Sequence, residues 1–312
     1  MPFHRMHRPK HIIEYTALQL LIVLVQRLPL RAAYGVGWLL AWPSHFLLRW
    51  RVTAALDRIR AVFGQEKSEQ EVRRIAWRSW RNLCYNAVEL MRSPRITRES
   101  LDQYFADPQG MLEAGQRARE KDQGMVLATA HLGNWDLAGV ALHLLGLPMF
   151  FMARRQKNPL VDDLLVRMRG ATGADTVLND PGVLKNIIRR LRQGGHLAIL
   201  PDVRNPTPGL RVSFLGGIAN VGGGAAMFAR HSRVPIFPIY FVRDGQRRMR
   251  WIALDAITFD PDADVESDRL RMTQELLSQL EEGIRRFPES YFWYNKRWVL
   301  DPMSPPSSSA DA

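Results

Sequence analysis

The chain has 312 residues, 46% of them hydrophobic and 24% charged, a balance that suits a globular protein with a substantial core. Its formal net charge of +12 indicates an anionic partner: a nucleic acid, a phospholipid surface, or an acidic ligand or protein. Cys84 is the only cysteine, which excludes an internal disulfide, a CxxC metal site and a redox pair of cysteines.

The first 50 residues predict a membrane-associated helical segment. A basic cluster, "HRMHRPKH", precedes an apolar stretch over residues 12–25, which is shorter than the about 20 residues of a bilayer span. A second apolar stretch, "AAYGVGWLLAWPSHFLLRW", is rich in tryptophan and is closed by Arg49 and Arg51. Flanking arginines and tryptophans favour an anchor in or on the cytoplasmic leaflet over a pair of buried helices, and no signal-peptide cleavage site follows. A single tilted span and a monotopic hairpin are both compatible with this pattern.

The rest of the chain predicts an α/β fold, with a central mixed sheet flanked by helices. A long helix over residues 68–93 begins at Ser68, where Glu71 completes a capping box. After residue 111, helices and short apolar strands alternate. The predicted strands cover residues 125–130, 148–153, 196–201, 234–242 and 249–257, and the predicted helices lie near residues 135–145, 159–169, 182–192 and 265–286.

The stretch "HLGNWD" places His131 directly after a predicted strand and Asp136 five positions later. Asn134 is a good N-cap, so Asp136 falls in the first turn of the next helix and can fold back toward the imidazole. The carboxyl ends of parallel strands are where α/β proteins bind ligands. A histidine with an orienting carboxylate and no protein nucleophile suits the attack of a substrate hydroxyl on an activated acyl group. The alternative is a histidine that only caps a helix.

Other polar residues follow neighbouring predicted strands and should face the same edge of the sheet. Arg154 and Arg155 follow one strand, and Asp202 and Arg204 follow another. For each arginine taken singly, a solvated salt bridge is the alternative. The chain has no G-x-S-x-G elbow, no G-x-x-x-x-G-K-[ST] loop and no H-E-x-x-H helix. The glycines at 222–224 have no following lysine and predict a tight entry into a helix.

Five sequence blocks occur in a characteristic order: "HLGNWD", "ARRQKNPLVDDLLVRMRG", "LPDVRN", "RVPIFPIYFVR" and "FPESYFWYNKRW". With these blocks the sequence resembles the lipid A late acyltransferases, the lauroyl and myristoyl transferases of Gram-negative inner membranes. These enzymes are similar to glycerolipid acyltransferases with an HX4D motif. The resemblance spans roughly residues 10–302.

The resemblance implies an O-acyltransferase with a glycerolipid-acyltransferase-like fold over residues 51–303, preceded by the membrane-associated segment over residues 1–50. The composition of the last nine residues predicts a disordered tail over residues 304–312. It implies acyl carrier protein or acyl-CoA as acyl donor, a lipid A precursor as acceptor and an inner-membrane location with the active site on the cytoplasmic side. No metal, redox cofactor or nucleic acid is implied. The predicted catalytic residues are His131 and Asp136, and the predicted substrate-binding residues are Asn134, Arg154, Arg169, Asp202 and Arg204.

Two departures from the family pattern concern the substrate. Val203 stands where the late acyltransferases usually have glutamine, and "FLGGIANVGGG" lacks the usual proline and threonine. Another membrane glycolipid or an aminolipid is therefore the alternative acceptor. For the oxyanion formed in the reaction, backbone N–H groups near Gly133 or Arg154 are the candidate donors. A non-enzymatic nucleic-acid binder is disfavoured, because the basic residues are spread over helix faces without a binding motif.

Overall fold

Helices and strands alternate through most of the chain in the computed structural model. The helices are α1 (Pro9–Arg27), α2 (Leu30–Phe46), α3 (Val52–Phe63), α4 (Glu69–Arg92), α5 (Pro108–Glu120), α6 (Trp135–Leu144), α7 (Pro159–Gly170), α8 (Val183–Arg192), α9 (Gly224–Ser232) and α10 (Val265–Arg286). The strands are β1 (Met125–Ala128), β2 (Met149–Ala153), β3 (Asp175–Leu178), β4 (His196–Ile199), β5 (Leu210–Phe214), β6 (Gly217–Val221), β7 (Ile236–Asp244) and β8 (Arg248–Ala253). The structure describes residues 8–64, 66–120, 123–153, 156–170, 173, 175–178, 182–244 and 248–300.

A six-stranded sheet in the order β3-β2-β4-β1-β7-β8 forms the centre of the protein. Its neighbouring strands are parallel, except that β7 and β8 pair antiparallel. Helices cover both faces, so the predicted α/β class with a central mixed sheet is confirmed. The separate β5–β6 hairpin, the edge strand β3 and the helices α3 and α5 were not predicted.

The central strand β1 is buried on both faces, as its continuous apolar sequence requires. Successive side chains of a strand point to opposite faces, so β1 contributes to two hydrophobic clusters. Val126 and Ala128 pack in the cluster that includes residues of α9 and α10, whereas Met125 and Leu127 pack in the cluster that includes residues of α5 and α6. Burial from both sides fixes the end of β1, where His131 follows.

Helix α4 begins as predicted but buries a different face in its second half. Ser68 and Glu71 form the reciprocal capping box. The spacing of apolar residues in the sequence predicts that Ala87 lies on the buried face, yet Ala87 is exposed and Val88 and Glu89 are buried. The buried face of the helix carries a charged side chain, Glu89, whose partner Arg243 comes from β7, so the spacing of apolar residues does not reveal this face.

The N-terminal segment consists of two helices, α1 and α2, separated by Leu28 and Pro29. In the described part of the chain, no helix combines the length and the apolar character that crossing a bilayer requires. The predicted basic residues before position 8 and the predicted tail over residues 304–312 lie outside the described residues.

Much of the apolar surface of these two helices, and of the residues just after α2, faces outward. We call it the N-terminal apolar surface. Its members are large apolar side chains, each at least 41% exposed: Ile12, Ile13, Leu20, Val23, Leu24, Trp38, Leu39, Leu40, Trp42, Phe46, Leu47, Leu48 and Trp50. A concentration of this kind marks an interaction surface rather than an ordinary protein exterior.

Candidate active site

His131 lies just beyond the carboxyl end of β1, at the edge of the parallel strands where it was predicted. Its side chain is 20% exposed. The imidazole packs against the ring of Trp135 edge to face, with ring centroids 4.8 Å apart. A ring that is held in place and still reaches solvent is suited to exchange a proton with a ligand.

Asp202 holds His131 from the neighbouring strand. It follows β4, which pairs with β1, and its side chain is only 1% exposed. Its Oδ1 lies 2.8 Å from Nδ1 of His131, and its Oδ2 accepts the backbone N–H of His131 at 2.8 Å. A carboxylate can only accept hydrogen bonds, so Nδ1 carries the proton of the neutral ring and Nε2 keeps its lone pair. This arrangement is that of a general base with its orienting carboxylate.

The structure therefore places Asp202 where it can orient His131, which the sequence did not predict. Asp202 was predicted to contact substrate, but both of its carboxylate oxygens accept hydrogen bonds from His131, and its side chain is buried. Asp136 lies in the first turn of α6, as predicted, and is half-buried. Its role as an orienting partner of His131 stays a prediction, which substitution can separate from the role of Asp202.

Tyr291, which was not singled out in the sequence, is buried close to Asp202. Burial raises the pKa of the Tyr291 phenol well above its ordinary value, and the nearby charge of Asp202 and the hydrogen bond to it raise it further, against the opposing charge of Arg58. The phenol therefore stays protonated beside the carboxylate. The only signal in the sequence was the block "FPESYFWYNKRW", which did not indicate which aromatic residue matters.

The segment that follows α10, residues 287–300, is called the closing segment, and it pairs with the loop that carries His131. The Phe292 N–H donates to the His131 carbonyl at 2.9 Å, and the Gly133 N–H donates to the Ser290 carbonyl at 2.9 Å. The loop after β4 is held in the same way, since an isolated bridge joins Val203 to Trp298. One segment thus fixes both loops that form the site.

Position 133 requires a glycine, because the backbone of Phe241 leaves no room for a side chain. The backbone N–H of Gly133 is already hydrogen-bonded. The φ of Gly133 is +72°, and a Cβ at this position would lie 1.2 Å from the Phe241 carbonyl oxygen. Because its N–H donates to Ser290, this amide is not free to stabilise an oxyanion. The role of the other backbone N–H groups near Gly133 stays a prediction. Arg154, the other candidate, lies outside the described residues.

Asn134 caps α6, as predicted. Its Oδ1 accepts the Leu137 N–H at 3.1 Å, and its Nδ2 donates to Oε2 of Glu89 at 2.6 Å. The residue is 2% exposed. Its predicted contact with substrate is corrected by this geometry, because the side chain is buried and engaged within the protein.

Of the three arginines predicted to bind substrate, the structure describes the side chain of Arg204 only. Arg204 is half-buried next to Asp202, and its backbone N–H donates to the Arg297 carbonyl at 3.2 Å. Arg169 belongs to α7, but its side chain lies outside the described parts of the structure. Arg154 lies outside the described residues altogether. The roles of all three stay predictions.

An apolar cavity of about 350 Å³ lies between α5 and the face of the sheet formed by β1, β7 and β8. Its walls include Leu127, Leu142 and Trp251, and its polar lining side chains are Arg117 and Gln123. Phe241 also lines the cavity, and the backbone of Phe241 contacts Gly133 in the loop of His131. A cavity of this kind can hold a hydrocarbon chain.

Comparison with known proteins agrees with the resemblance found in the sequence. The family model described as bacterial lipid A biosynthesis acyltransferase matches residues 4–299. A phosphatidylinositol mannoside acyltransferase of Mycolicibacterium smegmatis is 25% identical over 189 residues, which are 59% of this chain and 60% of that protein. A lipid A biosynthesis acyltransferase of Haemophilus influenzae is 25% identical over 186 residues, 58% of this chain and 56% of that protein.

A second phosphatidylinositol mannoside acyltransferase, from Mycobacterium tuberculosis, is 24% identical over 218 residues, 68% of this chain and 66% of that protein. The matches to these curated relatives span less than two thirds of their lengths. The family model, in contrast, covers nearly the whole chain. The chain belongs to the bacterial lipid A biosynthesis acyltransferase family.

Proposed function

We propose that this family member transfers a fatty acyl chain from an acyl thioester to a hydroxyl of a lipid A precursor. The observation that carries the proposal is the 2.8 Å hydrogen bond between Nδ1 of His131 and the buried carboxylate of Asp202 at the carboxyl edge of the sheet. It leaves Nε2 of the ring as the basic atom, and a base without a covalent nucleophile suits direct attack by a substrate hydroxyl.

The reaction takes place in two steps. Nε2 of His131 takes the proton of the acceptor hydroxyl as its oxygen attacks the thioester carbonyl. The tetrahedral centre then collapses, the carbon–sulfur bond breaks, and the imidazolium returns the proton to the departing thiolate. An ester and a free thiol result, and Asp202 stabilises the imidazolium between the two steps. We propose that Asp136 adds to this stabilisation from the first turn of α6.

Basic side chains of the protein can bind the negatively charged groups of both substrates. We propose that Arg154, Arg169 and Arg204 bind phosphates of the acceptor lipid, since a guanidinium binds phosphate through two parallel hydrogen bonds. The net charge of +12 favours acyl carrier protein, an acidic protein, as the carrier of the donor chain, with acyl-CoA as the alternative. The cavity beside Phe241 supports a hydrocarbon chain as part of the substrate.

The acceptor is tested by deleting the gene in its own bacterium and measuring the lipids by mass spectrometry. We expect lipid A species that lack one acyl chain, and we expect the missing chain to return when the wild-type gene is supplied. A gene encoding His131→Ala should not restore it.

A second acceptor is favoured by a specific observation. Relatives named phosphatidylinositol mannoside acyltransferase match this chain at about the same identity as the relative named for lipid A. Unchanged lipid A together with an under-acylated glycolipid or aminolipid in the deletion strain would reject the lipid A precursor and support this alternative.

We further propose that the N-terminal apolar surface lies on the cytoplasmic leaflet of the inner membrane. Tryptophan and leucine side chains exposed on α2 are suited to the boundary between lipid head groups and acyl chains. A monotopic attachment of this kind does not require a helix that crosses the bilayer.

Replacing Leu39 and Leu47 together with serine should weaken binding to vesicles by about tenfold or more, because each leucine loses apolar area that the lipid would bury. These side chains are 64% and 67% exposed, so the fold should tolerate the change. Co-sedimentation with vesicles that contain anionic lipid measures the effect. Leu270→Ser, at an exposed position of α10, is the matched control and should bind like the wild type. Equal binding by all three proteins would contradict the proposed surface.

A further inference from the structure

A buried cluster of polar side chains lies against the loop that carries His131. We call residues 131–136 the catalytic turn. The cluster, called the Glu89 network, draws its members from α2, α4, the catalytic turn and β7. Its members are Tyr34, Asn86, Glu89, Asn134 and Arg243.

An ion pair forms the centre of the network. Nη1 of Arg243 donates to Oε1 of Glu89 at 2.8 Å, and Nη2 donates to Oε2 at 3.0 Å. The two side chains are 3% and 0% exposed. Nη2 of Arg243 also donates to Oδ1 of Asn86 at 2.6 Å. Taking two charges out of water costs several kcal/mol each, and apolar residues of similar size often stabilise a core as well, so stability alone is a weak explanation for this pair.

The network reaches the catalytic turn at two points. Nδ2 of Asn134 donates to Oε2 of Glu89 at 2.6 Å, and Nδ2 of Asn86 donates to the Gly133 carbonyl at 2.7 Å. Gly133 and Asn134 lie between His131 and Asp136 in the chain. The turn is therefore held by Asp202 and the closing segment on one side and by the Glu89 network on the other.

The network also reaches the N-terminal helices. The Tyr34 hydroxyl, on α2, donates to Oε1 of Glu89 at 2.5 Å. Burial raises the pKa of Tyr34 far above its ordinary value, with a further contribution from the charge of Glu89, so the phenol remains a donor. Helix α2, which exposes Trp38 and Leu39, is thus hydrogen-bonded to the Glu89 carboxylate. The same carboxylate binds Asn134, the N-cap of α6.

We infer that Glu89 and Arg243 are positioning residues for acyl transfer: they hold Gly133 and Asn134, and through them place His131 against substrate, while Tyr34 fixes α2 to the same carboxylate. The inference rests on the proposed function, because it assigns these residues to the proton transfer at His131. A displacement of the reacting groups by about 1 Å can reduce a rate by about 10²-fold. A positioning defect should therefore lower kcat and leave KM nearly unchanged.

The test uses full-length protein on vesicles that contain the acceptor lipid, with acyl thioester as donor. Glu89→Gln keeps the size of the side chain and removes the charge, and we expect kcat to fall by about tenfold to 10²-fold with KM within about twofold of the wild type. Tyr34→Phe removes one hydroxyl and should lower kcat less. It is the more conservative variant and carries the test if Glu89→Gln does not fold, as judged by circular dichroism and thermal melting.

Tyr85→Phe is the matched control. The Tyr85 ring packs 5.1 Å from that of Tyr34 and 5.5 Å from the Arg243 guanidinium, so this variant removes a hydroxyl from the same aromatic cluster. We expect its kcat to match the wild type. Amide hydrogen exchange should become faster in the catalytic turn of Glu89→Gln and stay unchanged in Tyr85→Phe, a readout that does not depend on activity.

The outcomes are distinguishable. Acyl transfer by the wild type together with an unchanged kcat in a folded Glu89→Gln protein overturns the positioning inference alone. An equal loss in Tyr34→Phe and Tyr85→Phe overturns the role of Tyr34. A wild type that transfers no acyl chain to any membrane lipid overturns the proposed function and this inference with it.

Discussion

His131→Ala should lower acyl transfer by about 10²- to 10⁴-fold, because the acceptor hydroxyl loses the base that takes its proton. The protein should stay folded and bound to vesicles. The backbone N–H and carbonyl of His131 keep their partners, Asp202 and Phe292, without the ring, and the ring itself is partly exposed. Turnover with purified protein, acyl thioester and acceptor lipid measures the loss.

His231→Ala is the matched control. His231 is exposed on α9, and its ring contacts only the Met227 carbonyl one turn earlier among the bonds that the structure describes. The control should keep wild-type turnover. Near wild-type turnover in His131→Ala would instead remove the catalytic assignment, even if the family membership stands.

Asp202→Asn should lower kcat/KM by about 10²- to 10⁴-fold, although it changes neither size nor shape. Asp202 now accepts two hydrogen bonds from His131, one from the backbone N–H and one from Nδ1. Asparagine has a single acceptor oxygen, so one bond must be lost, or its amide must donate to Nδ1. Donation to Nδ1 moves the ring proton to Nε2, the atom that has to act as base. A serine protease with the corresponding aspartate replaced by asparagine loses activity on this scale for the same reason.

Asp136→Asn distinguishes the contribution of Asp136 to catalysis from that of Asp202. It should cost less than His131→Ala, because the imidazole survives, and less than Asp202→Asn if Asp202 is the group that fixes the tautomer. The order of the two losses in kcat/KM, measured with one donor and one acceptor, decides the assignment. A larger loss in Asp136→Asn would return the orienting role to Asp136. Urea unfolding of both variants controls for stability, since Asp202 is buried and Asp136 is half-buried.

Much of the fold and part of the site could be predicted from the sequence, because they depend on residues that are close in the chain. Ser68 and Glu71 cap α4 across three positions, and Asn134 caps α6 in the same way. Apolar runs bounded by turn residues predicted β1, β4 and β7, and the end of β1 predicted where His131 would lie. Five blocks in order were enough to predict the family that the family model confirms.

The N-terminal segment shows where local patterns stop being sufficient. Its apolar stretches are compatible with a tilted span, a surface-bound hairpin or a pair of buried helices. The structure has two helices that bury Val25 and Tyr34 against the protein and expose Leu20 and Leu39. Which side chains of an apolar helix are covered depends on what it packs against, and composition does not contain that information.

The partners of His131 and of the catalytic turn were decided by tertiary structure alone. Asp202 lies 71 positions from His131, and Arg243 lies 154 positions from Glu89. These pairs meet because the sheet places β4 and β7 on either side of β1, while α4 packs across the turn that follows β1. The sequence determined that a histidine would stand at the end of a buried strand. Only the order of the strands decided which carboxylate hydrogen-bonds to its ring, since hydrogen bonds form between neighbours in space and many residues along the chain could have been that neighbour.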